Sequence, residues 1–187
     1  MNKFKISKSI AIESWAVLKK DKEMLWFPIL SAALSFILTL LLLSFFFFYT
    51  FSGHISNLYT FNESDFIKSN YLILFLYYVL SFFIVNFFQA AVFFVANARF
   101  NEQNISFRDG VRESLHHSDK IFLWSLISAT VGIILGIISD KSKTLGKILS
   151  MILGATWSIL TYFSLPSLVI GHTTVVDSFK ESAYIIR

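Results

Sequence analysis

Three amides, Asn86, Gln89 and Asn97, interrupt an otherwise apolar stretch that runs from Tyr71 to Ala98. On a helix, Gln89 falls about 60° to one side of Asn86 and Asn97 about 20° to the other, so the three form one stripe with Tyr78 near it. Amides so placed can line a path for a substrate. They can equally tie helices together by hydrogen bonds, and both readings stay open. Chemistry beyond hydrogen bonding finds little support. The chain has no Cys, which excludes disulfides, thiolate metal sites and cysteine nucleophiles. His116 and His117 are adjacent, so a helix points them to different faces, and a metal needs three or four converging ligands. Glu63, Asp65 and Asp140 stand in short polar segments with no His nearby in sequence. No His-Glu-x-x-His pair, nucleophile elbow or phosphate-binding Gly loop occurs. The expectation is a protein that is not an enzyme, with no catalytic residues, no metal and no cofactor.

The segments that must position these amides dominate the sequence. Four stretches, 25–51, 71–98, 121–139 and 148–171, contain no Asp, Glu, Lys, Arg or His. About 20 mostly apolar residues suffice to cross the hydrocarbon core of a bilayer as a helix. Hydrophobic residues make up 55% of the 187, and Phe45–Phe48 is a run of four phenylalanines. No single helical face could hide that run in water, whereas in lipid every face can be apolar. The predicted fold is therefore all-α: a polytopic transmembrane bundle of four spans in a single membrane domain. With no ionisable side chain inside the spans, coupled pumping through them is disfavoured.

Charge distribution sets an orientation. The N-terminal segment, the second connection and the tail together hold twelve Lys and Arg, against four in the first and third connections. The positive-inside rule then puts both termini in the cytoplasm. The short, basic third connection makes a re-entrant third segment the competing topology. The basic balance is explained by the loops, and nucleic acid is not an expected partner.

Amphipathic stretches flank the spans. Residues 4–20 read as a basic interfacial helix with Trp15, and Asp21 could cap the helix that follows. Pro28 falls early in the first span, where its missing N–H does little harm. Residues 107–117 form a second interfacial helix, capped near Ser106, with Phe107, Val111 and Leu115 on a face that can rest on lipid. Residues 175–187 form a third, with Val176, Phe179, Ala183 and Ile186 on one face. Small residues recur four apart: Ser31, Ser35 and Thr39 on the first span, Ser128, Gly132 and Gly136 on the third, and Ser150, Gly154 and Ser158 on the fourth. Such ridges let backbones approach closely, so the third and fourth spans are expected to pack through them. Pro166 should kink or end the fourth span.

An internal repeat runs through the chain. Glu13-Ser14 is followed by Asp21-Lys22, Trp26 and Leu30-Ser31-Ala32. Glu113-Ser114 is followed by Asp119-Lys120, Trp124 and Ile127-Ser128-Ala129. A third pair, Glu181-Ser182, opens near the end of the sequence. The repeat unit is read as an interfacial helix followed by a pair of spans. Several strings also carry a family resemblance: Ser14-Trp15, Asp21-Lys22-Glu23, Trp26 through Ser31, Asn86 through Ala91, Asp109-Gly110, Gly154 through Ser158, and Tyr162 through Pro166. With them the chain resembles a domain-of-unknown-function family of bacterial multi-span membrane proteins. That resemblance implies a longer, about six-span architecture, and with the repeat it leads to the expectation that this chain is a truncated form or a degenerate copy of such a protein. It implies no activity.

The expected function is that of an integral inner-membrane protein, structural or partner-binding, in contact with lipid and with other membrane proteins or copies of itself. The alternative is a transport-related subunit in which Asn86, Gln89 and Asn97 line a path.

Overall fold

The computed structural model describes residues 22–53, 71–140, 144–171 and 173–186, together with Lys8, Ile12 and Trp15. Of the interfacial helix expected over residues 4–20, only those three lie among the described residues, and they are helical and exposed; the cap expected at Asp21 lies outside them. The described residues are helical and contain no strand. A 3-10 turn, Lys22–Leu25, leads into α1 (Trp26–Gly53); then follow α2 (Tyr71–Phe100), α3 (Phe107–His116) and α4 (Ser118–Asp140). The chain continues through α5 (Leu145–Thr161), α6 (Ser164–Ile170) and α7 (Val175–Ile186). Four stretches are long and apolar enough to cross a membrane: Lys22–Phe48, Tyr71–Phe100, Ser118–Asp140 and Leu145–Ile170. The fold is an all-α transmembrane bundle. At 1.5 Å per residue α4 is about 35 Å long, enough to traverse the roughly 30 Å hydrocarbon layer.

Each element ends for a local reason. Pro28 is the third residue of α1, where no intrahelical donor is needed. The α2 helix stops at a turn in which Gln103 N–H donates to the Ala98 carbonyl (2.9 Å) and Glu102 N–H to that of Arg99 (3.1 Å). Glu102 takes the left-handed conformation this requires, at φ 59°. Arg99 then braces the turn by donating to the Ile105 carbonyl and the Asn104 side chain. The α3 helix starts at a capping box. The Ser106 hydroxyl accepts from Asp109 N–H (3.4 Å), and the Asp109 carboxylate accepts from Ser106 N–H (2.8 Å) and Oγ (2.7 Å). At α7 the Thr174 hydroxyl accepts from Asp177 N–H (3.2 Å) and donates to its carboxylate (2.7 Å). These hydrogen bonds hold both carboxyls below the usual Asp range, the Ser106 side chain leading at Asp109 and the Thr174 side chain, then Lys180, at Asp177.

The α2 helix is the hub. It packs on α1, α3, α4 and α6, while α4 packs on α2, α5 and α6. One apolar cluster joins Met24 and Phe27 of the first span to Phe88, Ala91 and Val95 of α2 and to Phe107 and Val111 of α3. A second joins Ala90 of α2, Ile121 and Trp124 of α4, Leu165, Leu168 and Val169 of α6, and Val175 of α7. The interfacial helices therefore rest on protein rather than on lipid alone. Phe107 stacks on Phe27 at 4.5 Å, and Gly110 meets α2 so closely that a Cβ there would lie 2.7 Å from Val95 Cγ2. Of the face expected to rest on lipid, only Leu115 is exposed. In α7 the inward stripe is Val175, Ser178, Phe179 and Ser182, not Val176, Ala183 and Ile186, which are exposed. Serines point inward because only small side chains let a surface helix lie this close to its neighbours.

The repeat takes a definite form in three dimensions. Ser106, Asp109, Glu113 and Ser114 of the α3 unit correspond to Thr174, Asp177, Glu181 and Ser182 of the α7 unit, each pair 68 residues apart. Both units begin with a hydroxyl–carboxylate cap, and both bury the serine of the Glu-Ser pair completely. Asp21 and Trp26 before and in α1 correspond to Asp119 and Trp124 of α4 at a spacing of 98. The chain thus follows one plan twice, span–span–interfacial helix: α1–α2–α3, then α4–α5/α6–α7. An even number of spans per copy leaves the two copies parallel in the membrane.

Candidate functional site

The main departure between the two copies lies in their second spans. The α2 helix has Ala98 and runs unbroken for 30 residues. At the equivalent position stands Pro166, and the fourth span divides into α5 and α6 around Tyr162 and Phe163. Proline supplies no N–H to the carbonyl four residues earlier, here that of Tyr162, and its ring crowds that carbonyl. The chain tightens before the break, with Tyr162 N–H donating to the Ile159 carbonyl (3.2 Å), and Phe163 N–H, released from the helix, donates to Ser182 Oγ of α7 (3.1 Å). The stretch read from sequence as one span over 148–171 is thus a broken span.

Beside the break lies a half-open cleft of about 450 Å³. Its back wall is α4, through Trp124, Ser128, Val131, Gly132 and Leu135. One side wall is α2, through Phe82, Asn86 and Gln89, and the other is α5, through Gly154, Trp157, Ser158 and Thr161. Tyr162 and Leu165 at the break close one end. Asn86 and Gln89 are the repeat equivalents of Gly154 and Trp157, so matching faces of the two second spans look at each other across the gap. Below the cleft an aromatic group anchors α7: Phe179 lies 4.9 Å from Trp124 and 5.5 Å from Trp157, ring centre to ring centre.

The polar groups of the cleft divide into used and unused. Asn86 Nδ2 donates to Ser125 Oγ at 2.9 Å, and Ser125 Oγ donates in turn to the Ile121 carbonyl at 2.7 Å. This chain ties α2 to α4 through buried groups. Among the described residues Asn86 Oδ1, Ser128 Oγ and the Gln89 and Ser158 side chains make no hydrogen bond, although Asn86 and Ser128 are each only 8% exposed. Among the described residues no Asp, Glu, Lys, Arg or His lines the cleft. Among the described residues no three His, Asp or Glu side chains converge as a metal site would require. His117 sits instead beside α2, with Nδ1 3.0 Å from the Glu113 carbonyl and its ring 5.2 Å from that of Phe94.

The structure brings Asn86 and Gln89 together and leaves Asn97 out. Asn97 is exposed near the end of α2, about 16 Å along the axis from Asn86, and its carbonyl accepts from the Asn101 amide (2.8 Å). The small residues also part company. Ser150 Oγ donates to the Leu135 carbonyl (2.9 Å) and joins α5 to α4, and Gly154 lies against Leu135. Gly132 faces the Tyr78 ring of α2, not α5. Gly136 faces open space, and Ser128 and Ser158 line the cleft. Gly146 of α5 comes close to α4, where a Cβ would lie 2.5 Å from the Ile138 carbonyl oxygen. The ridges thus join the helices at Ser150 and Gly154 and leave a hollow at Ser128 and Ser158, with Trp124 and Trp157 in its wall. Ser125 was missed in sequence; its signal was its position three residues before Ser128 on the same span.

Fold and cleft together define an integral membrane protein with a mostly apolar hollow, carrying a few polar groups, among its spans. Residues 68–187 match the family of unknown function DUF6159, and the chain belongs to that family. No curated protein and no solved structure matches the chain.

Proposed function

We propose that this chain is a non-catalytic component of the bacterial cytoplasmic membrane, with both termini inside, and that it works by binding within the bilayer, in a transport-related role. The observation that carries this reading is the cleft between the two copies, where Asn86, Gln89, Ser128 and Ser158 offer unused hydrogen-bonding groups beside a broken span. Broken helices at a repeat interface are where membrane carriers place their sites. The orientation is supported by the Lys and Arg distribution, and hydrogen bonds at one end of the bundle keep basic segments on a common side. There the Glu23 carboxylate accepts from Phe107 N–H of α3 (3.2 Å), and Lys120 Nζ donates to the Thr173 carbonyl before α7 (3.4 Å).

A thiol scan tests it, and the Cys-free sequence makes the scan simple. Gln89→Cys in the cleft should react with a small uncharged maleimide at least tenfold faster than Leu80→Cys, which faces outward on the same helix, because thiolate forms only where water reaches. Equal, slow rates at both positions would remove the cleft reading.

A structural or partner-binding role is the second reading, supported by α1. None of the apolar window of the first span is buried, and Phe36, Leu41 and Phe47 project outward. A partner helix there would co-purify in mild detergent at fixed stoichiometry, and Phe36→Asp would release it.

A further inference from the structure

We infer that the cleft binds an uncharged lipid-like amphiphile whose polar end carries hydroxyl or amide groups, and that this molecule enters sideways from the bilayer. The inference rests on the binding reading above and adds the class of ligand and its route.

Three observations carry it. The first is the polar inventory. Asn86 Oδ1 and Ser128 Oγ sit on side chains that are more than nine-tenths buried, and among the described residues neither atom has a partner. Both residues line the cleft, and the one amide nitrogen of Asn86 that is engaged points to Ser125. Neither atom is sealed inside the protein; each belongs to a residue that lines the cleft, and a polar group without a partner is costly at the depth of the hydrocarbon, so the site suits something that supplies the missing hydrogen bonds. Asn86 Oδ1 calls for a donor, whereas Ser128, Gln89 and Ser158 can each donate or accept. A hydroxyl or an amide answers both demands.

The second observation is charge. Among the described residues no Asp, Glu, Lys, Arg or His lines the cleft, so a phosphate, carboxylate or ammonium brought here would have no counter-charge in a low-dielectric setting. The third is shape. The α2 and α5 helices both pack on α4 but hardly touch each other, so the gap between them opens laterally at the depth of the spans. The exposed lining residues Gln89, Ser158 and Tyr162 mark this mouth. The volume of about 450 Å³ lies within the range of small-molecule sites, and Phe82, Val131, Leu135 and Leu165 supply apolar wall for a chain. A ligand that reaches a lateral mouth through hydrocarbon, carries no charge and ends in a hydroxyl is a neutral lipid alcohol such as a mono- or diacylglycerol.

The test uses the full chain in phosphatidylcholine nanodiscs. A diazirine-bearing diacylglycerol is compared with a diazirine-bearing phosphatidylglycerol, and the cross-linked peptides are mapped by mass spectrometry. The neutral probe should label α2, α4 and α5 at the cleft and be displaced by unlabelled monoacylglycerol but not by glycerol. Ser128→Ala and Gln89→Leu should each lower cleft labelling about fivefold, the weight of one net hydrogen bond. Gly154→Leu, which fills the cleft, should lower it further, and Gly136→Leu, in open space, should leave it unchanged. Equal cleft labelling by the anionic probe would overturn the charge argument. Displacement by glycerol would make the ligand a solute from water and overturn the route. Labelling insensitive to all three cleft variants would overturn the site. A reactive Gln89→Cys with no neutral-lipid labelling would leave the binding reading standing and sink this one alone.

Discussion

At the residue scale the Asn86–Ser125 hydrogen bond shows how one polar pair in the membrane serves two ends. The amide nitrogen of Asn86 holds α2 to α4, and its oxygen is left for the cleft. In lipid an interhelical hydrogen bond contributes about 0.6 kcal/mol on average and rarely more than about 1.7, because the separated helices find other partners. A double-mutant cycle of Asn86→Ala and Ser125→Ala, followed by unfolding in detergent, should return a coupling within that range. Zero coupling would mean that the pair does not hold the helices together. The partnership was not legible in the sequence. All three amides lie on α2, but Asn97 lies too far along the axis to share a site with Asn86 and Gln89.

At the element scale the interfacial helices are wedges set into the bundle. Gly110 shows why α3 docks where it does. A Cβ there would meet Val95 Cγ2 at 2.7 Å, Phe27 Cζ at 3.1 Å and the Ala91 carbonyl oxygen at 3.2 Å. Val95 is β-branched and Ala91 contributes backbone, so neither can yield cheaply. Replacing a mid-helix Gly by Ala normally stabilises a helix. Here Gly110→Ala should destabilise by about 1–3 kcal/mol, read as a lowered unfolding midpoint in detergent. Gly136→Ala, facing open space, is the control and should be neutral or stabilising. The capping of α3 was legible, because Ser106 and Asp109 stand three apart before an amphipathic run. Its docking face was not, since hydrophobic periodicity reports which side is apolar and cannot say whether lipid or protein covers it. The break at Tyr162 and Phe163 was half legible. Pro166 announced a distortion, but the rupture falls at the carbonyl four residues earlier, where the missing donor is felt.

At the scale of the whole molecule, two copies of one span–span–interfacial-helix unit lie parallel, and the cleft sits where their second spans face each other. This arrangement gathers the start of α1, α3 and α7 at one end of the bundle. If that end is cytoplasmic, Arg108→Cys and Lys180→Cys should resist a membrane-impermeant thiol reagent in intact spheroplasts and react after permeabilisation. Asp140→Cys, at the opposite end, should react without it. The reverse pattern would invert the orientation.

The sequence by itself determined the solvent of this protein. Uncharged runs long enough to cross a bilayer leave one way to satisfy the backbone, the helix, and so the number of spans, their order and the interfacial caps follow from local pattern. Only the tertiary structure decided which small residues touch and which leave a hollow, which amide oxygen goes unused, and that α2 and α5 stand apart with a cleft between them. Those outcomes depend on how bulky side chains far apart in the chain, such as Trp124, Trp157 and Phe179, prop the helices against one another. No periodicity within a single helix encodes that distance.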